Sequence, residues 1–206
     1  MIETAAALES IKKADEAIGV IGKLVAKLKA QPDLAALKLA EALDEIGKTW
    51  QVMDTAITQF LKLGIDSDAM EKGSEVLLRI EGGGLLNEVK DGRGHCHIIE
   101  NIFYKYLDRW FEEVLKGAEL DSIRQVFNTL SEADDDLFLH MEVVAAQLQT
   151  EATEVFNMVS TAKVNEAKSR VLAFRKELQP LRLGMSETLQ KLYNLKSDFI
   201  EISGVA

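Results

Sequence analysis

Cysteine is almost missing from this chain: Cys96 is the only one in 206 residues, so no internal disulfide can staple the fold. A chain of this length can bury a core without such help. Proline is nearly as scarce, with two residues, and aromatic side chains make up only 6%. Few prolines leave long helices uninterrupted, and the many Ala, Leu, Glu and Lys residues favour them because they lose little rotamer freedom on a helix. Basic charge is in deficit, with a formal net charge of -10 and a pI near 4.9. An acidic surface repels phosphate backbones and anionic lipids alike, so neither nucleic acid nor a membrane is expected as partner. Long apolar runs are lacking too. The stretch from Ile18 to Leu28 is broken by Lys23 and Lys27, short of the roughly 20 apolar residues that a bilayer-spanning helix needs. Met1-Ile2-Glu3-Thr4 shows no basic or apolar leader, so export is not expected, and a lone thiol suits a cytoplasmic location.

What the chain does have is a heptad rhythm. Ala7, Ile11, Ala14, Ile18, Ile21, Val25 and Leu28 recur at spacings of four and three, which puts them on one stripe of a helix. Pro32 punctuates that stripe and suits the first turn of a second helix, whose seam is Leu39, Leu43, Ile46, Trp50, Met53, Ile57 and Phe60. The connection is short, so residues 4–63 should form an antiparallel hairpin with its two helices side by side. After Gly64 a short helix carries Met70, Leu77 and Ile80. Gly82-Gly83-Gly84 and Asp91-Gly92-Arg93-Gly94 then bound an irregular connection over 82–94.

From His95 the rhythm returns through Ile99, Ile102, Tyr106, Trp110 and Val114, widened by Phe103, Leu107 and Phe111. This helix is apolar over much of its circumference and is the candidate for the central helix. A shorter piece spans Leu120 to Leu130. Ser131 is then placed to cap a new helix, with Glu132, Asp134, Asp135 and Asp136 in its first turn, where the helix dipole favours carboxylates. The C-terminal seams, Leu137 to Val159 and Val164 to Leu181, slip in phase near Ser160, so residues 131–183 read as one kinked helix or two joined there. Pro180 and Gly184 should end that stretch, and Ser186 to Ile202 forms the last helix. The fold class is therefore all-α: an elongated antiparallel bundle of four to six helices, read as one domain over 1–206 with long C-terminal helices in 131–202.

The densest chemistry is Arg93-Gly94-His95-Cys96-His97 at the entry to the aromatic helix. A thiol near a helix N-terminus beside imidazoles can act as a nucleophile or ligand. Consecutive helical residues point about 100° apart, however, so His95, Cys96 and His97 cannot converge on one ion. No catalytic residue is assigned. Arg93, His95, Cys96, His97 and Tyr106 remain candidates for a ligand pocket, with Tyr104 and Trp110 as further lining.

Metal spacing mostly fails. There is no Glu-x-x-His, no His-Glu-x-x-His and no Cys-x-x-Cys, and Asp136 with His140 supplies two ligands where a tight site needs more. The acidic pairs Glu41 with Glu45 and Glu71 with Glu75 resemble, in composition alone, the carboxylate pairs of helical nucleotide pyrophosphatases; two matched acidic motifs in that family's order are absent. The basic run Lys163 to Arg182 is interleaved with Glu166 and Glu177 and reads as a solvated face. No cofactor follows from these residues. Elimination leaves a non-enzymatic interaction or scaffold protein that engages a protein partner, with a homodimer compatible with the seams. The alternative is a small-ligand-binding protein or enzyme with a pocket near 82–97.

Overall fold

A computed structural model describes residues 3–28, 34–62, 74–93, 101 and 103–204. The fold is an all-α helical bundle, and no strand occurs among the described residues. The helices are α1 (Ala5–Leu28), α2 (Leu34–Lys62), α3 (Ser74–Glu81), α4 (Gly84–Arg93), α5 (Asp108–Val114), α6 (Ala118–Ser160) and α7 (Val164–Ser203), with a π-helical turn at Phe103–Leu107 running into α5. At 1.5 Å per residue, the 43 residues of α6 span roughly 64 Å and set the long dimension.

The heptad positions are the core. Ala7, Ile11, Ala14, Ile18 and Ile21 of α1 are buried, as are Leu39, Leu43, Ile46, Trp50, Met53 and Ile57 of α2. The same holds for Leu137, Met141, Val144, Leu148, Ala152 and Val155 of α6, and for Ala167, Val171, Phe174, Leu178 and Leu181 of α7. Which seam faces which is another matter. α1 packs along α6 and α7, and α2 packs along α7, whereas α1 and α2 make no comparable contact among the described residues. They do run antiparallel. Asp15 of α1 meets Lys191 of α7 while Gly22 meets Leu195, so α1 and α7 are parallel. Asp44 pairs with Lys196 and Arg182 bonds Thr58, so α2 and α7 are antiparallel. The expected side-by-side hairpin is thus replaced by two helices flanking α7, because a seam demands burial without naming its partner. One close approach fixes the α2–α7 register: a Cβ at Gly47 would lie 3.0 Å from the Tyr193 ring, whose hydroxyl sits 3.1 Å from Gln51 Oε1.

Three expected helix breaks are absent. α6 runs through Ser131, so the Glu132–Asp136 cluster lies in mid-helix and not at a dipole end. α7 runs through Pro180 and Gly184. A mid-helix proline costs about 3 kcal/mol, but Leu178, Leu181 and Met185 around it are fully buried, each contributing roughly 1.5–3 kcal/mol. Of the glycine-rich 82–94 segment, residues 82–93 are described: Gly82 and Gly83 form a turn, Gly83 at φ 79°, and α4 runs from Gly84 to Arg93. Leu85 and Val89, one turn apart, are buried on α6, and that face outweighs the roughly 1 kcal/mol a glycine costs a helix. The aromatic stretch is not central either. Phe103, Leu107 and Phe111 are buried beside α2 and α6, while α6 and α7 form the axis of the bundle.

The phase slip near Ser160 resolves as two helices. Between them Lys163 N–H donates to Met158 C=O at 2.8 Å and Ala162 N–H to Val159 C=O at 3.1 Å, the pattern of a Schellman C-cap. Its left-handed position, ordinarily glycine, is Ala162 at φ 58°. A side chain there costs roughly 1–2 kcal/mol. Ala162→Gly is expected to raise stability by about 1 kcal/mol in urea titration; a loss would show that the turn does not need the left-handed residue.

Candidate functional site

A concavity with convergent polar groups lies between α2 and α7. Thr58 and Leu61 of α2 and Arg175, Gln179, Arg182 and Leu183 of α7 line a groove of about 320 Å³. Thr58 and Leu61 share a face of α2 at a spacing of three. Arg175, Gln179 and Arg182 stand at i, i+4 and i+7 on α7, so their side chains form one ladder. Arg182 Nε donates to Thr58 Oγ1 at 2.8 Å and lies 3.8 Å from Asp54 Oδ1. That oxygen is buried and accepts no hydrogen bond.

Burial pushes the Asp54 carboxyl above its ordinary value, and the Arg182 charge offsets this only in part. Unfolded, the group titrates near 3.8. Folded, it keeps its proton to higher pH, so its contribution is most favourable in acid and is lost as pH rises through the folded value. Asp54→Asn is therefore expected to stabilise the protein at pH 7 by on the order of 1 kcal/mol, with the gain fading by about pH 3. Thermal melts at both pH values check this, and an equal gain at both would assign it to something other than charge.

Three arginines elsewhere are paired with carboxylates. Arg79 pairs with Glu88, Arg124 holds Asp108 and Glu112, and Arg170 holds Glu151 and Glu154. Half-buried Arg175 meets no described carboxylate, and none lines the groove. On the same side of α7, Leu172 is 45% and Leu183 58% exposed.

The pocket expected near 82–97 is not assembled by the described residues. His95, Cys96 and His97 lie outside them, as do the side chains of Arg93, Tyr106 and Trp110. Tyr104, an expected wall, is 54% exposed, with its hydroxyl 3.1 Å from Asn128 Oδ1. Asp136 and His140 do not pair. His140 Nδ1 sits 3.2 Å from Ser10 Oγ of α1, which holds the ring toward the α1–α6 seam. No group of three potential ligands converges among the described residues. Glu41 and Glu45 hold Lys38 and Lys48, ordinary pairs on a solvated helix.

Two polar positions escaped the sequence reading. Asp134 is 3% exposed and accepts a 2.7 Å hydrogen bond from the indole N–H of Trp50. Its signal was present, since Leu130, Asp134, Leu137 and Met141 follow the seam spacing and a carboxylate on a seam needs a buried donor. Asp54 adjoins seam residue Met53 and carries the same hint. No helix among the described residues is long and apolar enough to cross a membrane. Set against protein-family models, curated proteins and solved structures, the chain matches none.

Proposed function

We propose that this chain is a non-enzymatic helical interaction module that engages a protein partner through an outer face of its long helices. The observation that carries the reading is the α7 stripe from Leu172 to Leu183, where two exposed leucines flank a groove in which Arg182 pairs with Asp54 and Arg175 meets no described carboxylate. Exposed apolar side chains grouped with arginine are the composition of a protein-binding surface, whereas isolated ones are ordinary. Among the described residues, Asp134 is held by Trp50, His140 by Ser10, and Arg124 and Arg170 by carboxylates.

A photocrosslinking residue at position 183 is expected to give one discrete adduct in cells, lost on Leu172→Ser while the melting temperature stays within a few degrees. A ladder of unspecific adducts, or an adduct indifferent to Leu172, would sink the reading. Alkylation of Cys96 far faster than a free thiol would instead favour a reactive pocket near 82–97.

A further inference from the structure

We infer that the turn at Thr161, Ala162 and Lys163 is a hinge at which α6 and α7 straighten into one continuous helix, exchanging α7 between two copies of the chain. Packing along the helices closes the hairpin, whereas the turn residues themselves favour helix. The exposed leucines of α7 take no part in the hinge, so this exchange stands apart from the interaction reading above.

The local conflict is visible at the backbone. Among the described residues, positive φ occurs at Gly83, Gly117 and Gly204 and at one residue that is not glycine, Ala162 at φ 58°. Glycine accepts a left-handed conformation freely; alanine is penalised there and is the strongest helix former. α7 then opens at Lys163, whose side chain makes no capping hydrogen bond. Lysine is a poor capping residue, and its charge opposes the positive end of a helix. No glycine or proline occurs from Asn157 to Asn165, so nothing in the sequence forbids helix through the turn. Thr161 Oγ1 donates to Asn157 C=O at 2.8 Å, a bond to the residue four earlier that a straight helix keeps. Straightening would also give the N–H groups of Val164, Asn165 and Glu166 carbonyls four residues back, which the first turn of α7 lacks.

The contacts that hold α7 do not require it to belong to the same copy. α7 packs chiefly along α2 and α1 and far less along α6. Asp44 pairs with Lys196, Asp15 with Lys191 and Glu151 with Arg170, each across an interface with α7 on one side. An α7 supplied by a second copy would remake these pairs and rebury Ala167, Val171, Phe174, Leu178 and Leu181. Exchange therefore changes two hinges and the freedom of two chains, and little else. Short turns that the local sequence opposes are the ones that invite it. In dilute solution the closed form prevails, because the tether holds α7 beside its own site at an effective concentration on the order of 1 mM.

The test refolds the full chain from urea and follows it by size exclusion. A dimer is expected after refolding at about 1 mM and a monomer at about 1 μM. Ala162→Gly favours the turn and disfavours the straight helix at both hinges, so half-exchange should need about a hundredfold more protein, which removes the dimer at 1 mM. Ala162→Val strains the turn and is tolerated in a helix, so the dimer should appear at lower concentration than in the unaltered chain. Melting of the Ala162→Gly monomer at or above the temperature of the unaltered chain shows that the variant has folded.

Energy transfer separates exchange from side-by-side docking. Glu132 and Gln190 are exposed and lie at one level of the closed bundle, since Asp134 bonds Trp50 while the neighbouring Gln51 meets Tyr193. Along a continuous helix the same two positions are about 90 Å apart. A chain with donor at position 132 and acceptor at position 190, refolded with excess unlabelled chain, should transfer energy as monomer and lose that transfer in the dimer. Transfer retained in the dimer would overturn the inference, as would a dimer equally abundant in Ala162→Gly. Failure of both the unaltered chain and Ala162→Val to dimerise at 1 mM would overturn it too.

Discussion

Trp50→Ala is expected to lower stability by about 3–5 kcal/mol, the loss associated with deleting a large side chain from a packed core. Trp50 is 0% exposed, and its indole N–H is held by buried Asp134 across the interior at 2.7 Å. Deletion would therefore do two things. It opens a cavity on the buried face of α2, and it withdraws a donor from a carboxylate that water cannot reach. Trp50→Phe separates them, since it keeps most of the ring and removes only the N–H; about 1–3 kcal/mol should be lost. Urea titration of both variants measures the difference. If Trp50→Phe cost nothing, the Asp134 contact would be incidental and the effect of alanine would be volume alone. In a bundle whose core is otherwise apolar at these positions, this bond joins two helices that have few backbone approaches to each other, so it specifies how α2 and α6 face one another as well as how firmly they hold.

Phe127→Ala should cost a similar amount, about 3–5 kcal/mol, but with a local signature. Phe127 stacks on Phe103 with ring centroids 4.5 Å apart, and both lie near Phe111 at 6.0 and 6.3 Å. These rings are what binds the π turn and α5 to α6. The accompanying pairs from Arg124 to Asp108 and Glu112 are at the surface, where solvent screening leaves an ion pair little net worth. Hydrogen exchange should accordingly accelerate over 103–114 before the α1–α7 seam opens. Uniform acceleration across the chain would mean that this segment and the long helices unfold as one unit.

The candidate groove was only partly legible in advance. Arg175 and Arg182 belonged to a basic run that reads as a solvated face, and for Lys163 with Glu166 that is what it is. What places Arg175 in the groove is Thr58 and Leu61, neighbours brought in from α2. Leu183 gave no warning either. It sits between buried Leu181 and buried Met185, yet is 58% exposed on the groove wall. The residues first considered for chemistry, His95 to His97, drew notice because they are adjacent, but adjacency on a helix separates side chains rather than gathering them.

Helix content and the identity of the core residues were determined by the sequence alone. Apolar side chains repeating at spacings of three and four leave only one conformation that hides them together, so Ile11, Leu43, Met141 and Leu178 are buried wherever their helices end up. Helix boundaries and helix neighbours were decided by tertiary structure. A cap, a proline or a glycine is a local bias of about 1–3 kcal/mol, and the joint burial of several seam residues exceeds it, which is why α6 passes through Ser131, α7 through Pro180, and α4 begins among glycines. The choice of α7 rather than α1 as the neighbour of α2 likewise rests on pairs that exist only across the bundle: Gly47 beneath Tyr193, Asp44 with Lys196, and Thr58 with Arg182.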